Sequence, residues 1–223
     1  MKRFYCLILL FLAAQPGFSG TITGTVKAKG RPEIEQDGGG KYASRKFKFA
    51  EKVDYDAMRD FVVYIDQPPA EKVVPPSKPI EIVTQKDATF SPHVLPVLIG
   101  TTVRWPNQDD IAHNAFSISD AKQFDLGLYK KGEQAPPQTF DKSGRVDVFC
   151  SIHKDMHCIL LVLQNPHFAV TDHKNRYSIT NVPAGTYRVK AWHERLPSVT
   201  TNVVVPAEGE VKVDFLLGFS EAK

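Results

Sequence analysis

The chain has 223 residues, 42% hydrophobic and 24% charged, enough for one large or two small domains with real cores. Basic residues number 28 against 25 acidic ones, and without Lys2 and Arg3 the basic count falls to 26. So even a balance excludes a nucleic-acid partner, and the longest apolar run is too short for a stable membrane span.

The first 19 residues read as a signal peptide. Lys2 and Arg3 make a basic start, Leu7 to Ala14 an apolar stretch, and Gly17 and Ser19 are small enough for a cleavage site. Such a leader places the mature chain in the periplasm or outside the cell. Thr21 to Val26 alternates and predicts a strand. The stretch from Lys27 to Lys52, with Gly38-Gly39-Gly40 and scattered basic residues, reads as a solvated loop. Phe61 to Ile65 is a second strand, ended by Asp66-Gln67-Pro68-Pro69, and Val73 to Pro79 is a Pro-rich linker. Short strands follow at 80–83, 94–99, 101–105, 116–118, 124–129, 146–150 and 159–163, separated by Gly and Pro turns. No long helical period appears, so the expected fold is all-β.

Chemistry concentrates in Cys150-x-x-His153-x-x-Met156 and in the distant His113. One thiol, two imidazoles and one thioether form the donor set of a mononuclear blue-copper site, with Cys and two His in a plane and a weak axial Met. Thioether suits zinc, magnesium and calcium poorly, which makes Met156 the residue that selects copper. After export the two remaining cysteines, Cys150 and Cys158, could form a disulfide. That bridge would consume the only thiolate, so both are expected to be free thiols.

These residues resemble the cupredoxins, most closely the amicyanin and plastocyanin group. The resemblance spans roughly residues 79–165: Thr89-Phe90-Ser91-Pro92, then Leu95-x-Val97-x-x-Gly100-Thr101-Thr102-Val103-x-Trp105-x-Asn107, then His113-Asn114 and the Cys150-to-Met156 loop. It implies a Greek-key sandwich holding one type 1 copper. It also implies that Asn114 and Ser151 hydrogen-bond to each other as partners behind the ligands, and that His153 carries the exposed imidazole edge with Ile152 near it.

From Asn165 the character changes. Thr171-Asp172 through Asn175, Tyr177 and Ile179 to Val182-Pro183-x-Gly185-x-Tyr187 resembles the carboxypeptidase regulatory-like module, a small transthyretin-type β-sandwich. Asn175 stands where that pattern has Gly, and Asn also tolerates positive φ. The C-terminal piece is too short for a whole sandwich. The opening Gly20-x-Ile22-x-Gly24-x-Val26 and the strand at 61–65 match its missing part. The expected organisation is a discontinuous sandwich, 20–66 with 166–219, into which a cupredoxin domain at 79–165 is inserted.

Among the other histidines, His93 reads as a surface residue, His167 and His173 as loop residues, and His193 as a structural histidine beside Trp192. A zinc site from Cys150, His153, His157 and Cys158 is disfavoured, because neighbours on a strand face opposite ways. The resulting expectation is a non-enzymatic carrier of single electrons between redox proteins. The alternatives are a copper-delivery protein and a carbohydrate-binding-like module; sandwiches host many functions, so the last rests on analogy.

Overall fold

A computed structural model describes residues 19–30, 53–68 and 81–218. The leader up to residue 18, most of the basic loop and the Pro-rich linker lie outside the described residues.

The structure is all-β. In chain order the strands are β1 (Ser19–Lys29), β2 (Val62–Ile65), β3 (Glu81–Ile82), β4 (Thr84–Lys86), β5 (Thr89–Ser91), β6 (Val94–Leu98), β7 (Thr101–Arg104), β8 (Phe116–Ser119) and β9 (Lys122–Asp125). Then follow β10 (Gln138–Phe140), β11 (Gly144–Phe149), β12 (His157–Leu163), β13 (Phe168–Val170), β14 (Arg176–Pro183), β15 (Gly185–His193), β16 (Leu196–Val205), β17 (Glu210–Lys212) and β18 (Phe215–Gly218). The strand expected at 124–129 begins earlier and stops at Asp125. There the Asp125 carboxylate accepts the Gly127 N–H at 2.9 Å and Gly127 turns to φ +66°, which ends the ladder.

Two four-stranded sheets enclose one core. The first has β1 at its centre, paired with β14, β17 and β18; the second runs β13-β2-β15-β16. Strands before residue 66 therefore pair with strands after residue 167. Ile22 lies opposite Ile179 on β14, and Val63 lies opposite Ala191 on β15. Alternation drives this: Ile22 and Val26 of β1 are fully buried, with Phe61, Val63, Ile179 and Leu217 in the same cluster. Gly24 is required by close approach, since a Cβ there would lie 1.8 Å from the Val213 carbonyl oxygen. Asn175 takes φ +58°, the left-handed conformation that Asn tolerates.

The second core lies between the five-stranded sheet β6-β12-β11-β8-β9 and the smaller sheets β10-β7-β3 and β4-β5. Trp105, Phe90, Phe140 and Leu160 fill it, and Cys150, Met156 and Cys158 line the same cluster.

Strands β2 and β12 join the two halves. Both are buried along both faces. On β12, Cys158, Leu160 and Val162 enter the second core, while Ile159, Leu161 and Leu163 meet Val62 and Tyr64 of β2 in a third apolar cluster. Trp192 packs against that cluster. A run as uniformly apolar as Ile159 to Leu163 is what a strand covered on both sides demands.

Candidate metal centre

His113 lies in the segment between β7 and β8, with β8 leading on to the central strand β11. Its backbone pairs with Tyr129 in both directions, at 3.1 and 2.9 Å, and its side chain is fully buried. Asn107 ties the approach to it: its amide donates to the carbonyls of Ile111 (2.9 Å) and Tyr129 (3.0 Å), while its own oxygen accepts the Asp109 N–H at 2.8 Å. Asp109 is the residue that sequence reasoning missed. One carboxylate oxygen accepts the Asp87 N–H at 2.8 Å. The other accepts the Ala88 N–H at 2.9 Å and lies 2.8 Å from His113 Nε2. Asp87 and Ala88 are the left-handed turn of the β4–β5 hairpin, at φ 54° and 51°. One carboxylate thus clamps a hairpin and orients a buried imidazole. The Ala88 and Asp87 N–H groups, with the His113 ring, hold its pKa down at about 2.

Cys150 follows β11 directly and is buried. The chain then reverses: the Met156 N–H donates to the His153 carbonyl at 3.1 Å, and the Cys150 N–H to the Met156 carbonyl at 3.2 Å. Met156 is fully buried, whereas His153 is half-buried. The Ser151 N–H donates to the Asn114 side-chain oxygen at 2.7 Å, and the Asn114 amide donates to Asp125 at 3.2 Å. This ties the Cys150 loop to the His113 segment across 37 residues.

Three of the donors, those of His113, Cys150 and His153, lie within 4.8 Å of one another. A carboxylate only accepts, so His113 gives Nε2–H to Asp109 and its Nδ1 carries the lone pair. That Nδ1 lies 3.0 Å from His153 Nδ1, and His153 Nδ1 lies 3.6 Å from Cys150 Sγ. Two ring nitrogens this close require a proton or a metal ion between them. A metal about 2.0–2.1 Å from nitrogen and about 2.3 Å from sulfur, with angles of about 100–120°, spaces N···N by about 3.1–3.6 Å and N···S by about 3.3–3.8 Å. The observed N···S separation of 3.6 Å falls in this range and the N···N separation of 3.0 Å lies just below it, so a small outward shift of one ring would admit a metal bound by these three residues.

Cys150 and Cys158 are both free thiols. Cys158 sits within β12, away from the loop that carries His153. Burial raises its pKa far above the ordinary thiol range, with the Asp147 charge adding to the shift. That keeps Cys158 a neutral, inert thiol. His193 is structural, as expected: its ring packs on Phe61 at 4.9 Å and accepts the Arg195 N–H at 3.2 Å, and burial lowers its pKa. His93 and His157, by contrast, are not isolated surface groups, since the two rings lie 5.6 Å apart.

No family model matches the chain, and no curated protein matches it. Solved structures do. A purple cupredoxin from Nitrosopumilus maritimus is 26% identical over 37% of this chain and 98% of its own, with a TM-score of 0.33. A copper-containing nitrite reductase from Thermus scotoductus SA-01 is 28% identical over 44% of this chain but only 26% of its own, with a TM-score of 0.38. A reduced amicyanin variant is 24% identical over 45% of this chain and 98% of its own, with a TM-score of 0.35. Each alignment covers less than half of the present chain.

Among the described residues, no helix is long and apolar enough to cross a membrane.

Proposed function

We propose that the chain is an exported carrier of single electrons, with one type 1 copper held by His113, Cys150 and His153 and tuned by Met156. The observation that carries this reading is the convergence of the two Nδ1 atoms, 3.0 Å apart, with Cys150 Sγ 3.6 Å from one of them. The donor chemistry supports copper: one thiolate and two imidazoles are borderline-soft, and Met156 is buried in the cluster that holds Cys150. Bound copper would supply the Cu(I)/Cu(II) couple.

The chain's own task is to keep the donors still. Asp109 fixes the His113 tautomer and ring plane, as carboxylates behind metal-binding histidines do. The Asn114–Ser151 bond locks the Cys150 loop to the His113 segment. A site braced from both sides changes shape little between oxidation states, so little reorganisation opposes transfer. Of the three ligands only His153 is not buried, and Ile152 beside it is 53% exposed. Together they offer a small apolar docking patch for a redox protein. No catalytic role is assigned to this site.

The same reading divides the chain. Residues 20–66 and 166–219 form a discontinuous carboxypeptidase regulatory-like sandwich, and residues 79–165 are a cupredoxin domain inserted into it. The pairing of β1 with β14 and of β2 with β13 and β15 supports this division, as does a first core drawn only from those two stretches. The signal peptide places the protein in the periplasm or outside the cell.

The test is the visible spectrum on adding Cu(II) to the metal-free protein. An intense blue band is expected, absent in Cys150→Ser because the chromophore is the copper–thiolate bond. A colourless wild type, or a Cys150→Ser variant that stays blue, refutes the assignment.

A further inference from the structure

A second cluster of metal-binding side chains lies where the two halves of the molecule meet. His93 comes from the turn between β5 and β6, His157 opens β12, and Glu194 sits in the tight β15–β16 hairpin. Each offers one donor atom, and the three donor atoms lie within 4.8 Å of one another.

The hydrogen bonds assign the ring nitrogens. His93 Nδ1 lies 3.2 Å from the His157 carbonyl oxygen, which only accepts, so Nδ1 carries the proton. Its Nε2 then faces Glu194 Oε1, 3.0 Å away, as a donor when the ring is protonated and as a lone pair when it is neutral. In the neutral ring that lone pair and the carboxylate oxygen repel unless a proton or a metal ion lies between them. His157 is oriented in turn by Asp147, whose Oδ1 is 2.9 Å from its Nε2. Arg145 grips that carboxylate with two bonds, at 2.8 and 2.6 Å. The result is the arrangement of a metal-binding histidine with a carboxylate behind it, which fixes the ring and raises its basicity. The His157 ring is further held by stacking on Phe149 at 4.8 Å.

We infer that His93, His157 and Glu194 form a second metal site, taking a divalent ion of the zinc class. Two imidazoles and one carboxylate, with no sulfur, suit a borderline ion and leave a fourth position for water. Such an ion spaces its donors by about 3.3 Å, so the three donors would draw in from their present separations when it binds. The side chains of His93, His157 and Glu194 are 37%, 23% and 21% exposed, so the ion has a path in. Once bound, it would clamp the β15–β16 hairpin to β12 and to the loop before β6, tying the two cores together beside the third apolar cluster. Its donors are distinct from those of the site at Cys150, although His157 directly follows Met156.

The probe is Zn²⁺ added to the full chain already loaded with copper at the Cys150 site, or to Cys150→Ser, with bound zinc counted after dialysis and its neighbours read by zinc X-ray absorption. One equivalent with a nitrogen and oxygen shell and no sulfur is expected. It should persist in Cys150→Ser, disappear in His93→Ala and in Glu194→Gln, and raise the unfolding temperature only where it binds. Glu194→Gln is close to isosteric and sits in a surface hairpin, so it keeps the comparison valid should His93→Ala fold poorly. If the wild type binds no sulfur-free zinc, or if both variants bind it undiminished, the inference is overturned. His93 and Glu194 are then an ion pair only.

Discussion

Replacing Asp109 by Ala removes three hydrogen bonds at once, those from Asp87, Ala88 and His113. The three losses are unequal. The two hairpin N–H groups belong to an exposed turn and can bond to water, so their net cost is small. His113 is fully buried, and its Nε2–H loses its only partner. A buried donor left unsatisfied costs about 1–3 kcal/mol, and with the hairpin bonds added the expected destabilisation is about 2–3 kcal/mol. In a chain of this size that is a fall of about 4–12 °C in unfolding temperature. Urea unfolding of the metal-free protein, followed by Trp fluorescence, should show a lower midpoint with an unchanged slope. Metal affinity should fall about 10–100-fold, because the His113 ring is no longer held in plane. An Asp109→Ala protein within about 0.5 kcal/mol of wild type would refute the argument that this carboxylate is the brace.

Met156→Gln should keep copper and lower the reduction potential by voltammetry, since an axial thioether tunes the site more than it holds the ion; loss of copper would count against the axial assignment. Leu161→Ala should cost about 2–5 kcal/mol in urea unfolding, because Leu161 fills the cluster between the halves, and the blue band should survive because that cluster is not the one lining the donors. Asp172→Asn should flatten the acid limb of the stability curve. The Arg176 side chain holds the Asp172 carboxyl down at about 2 against an ordinary 3.8. Its contribution is therefore present above about pH 4 and lost as pH falls towards 2; an unchanged slope between pH 4 and 2 contradicts that.

What could be read from the sequence was local. The loop from Cys150 to Met156 closes through hydrogen bonds between near neighbours, so its spacing already carries its geometry. Asn175 shows the same: a turn needing positive φ accepts few residue types, and the backbone there takes that conformation. The uniformly apolar Ile159 to Leu163 announced a buried strand, and free thiols at Cys150 and Cys158 followed from what the ligand set needs.

Tertiary structure decided the rest, because the remaining contacts join residues with no pattern in common. Asp109 has no motif; it matters because the β4–β5 turn and His113 both bond to its carboxylate. His93 and Glu194 meet across 101 residues, and only the packing of one half against the other brings them to His157. That β12 would be covered on its second face by β2 was equally invisible. An apolar run states that a strand is buried but not by what, and here the cover comes from a strand about a hundred residues earlier in the chain.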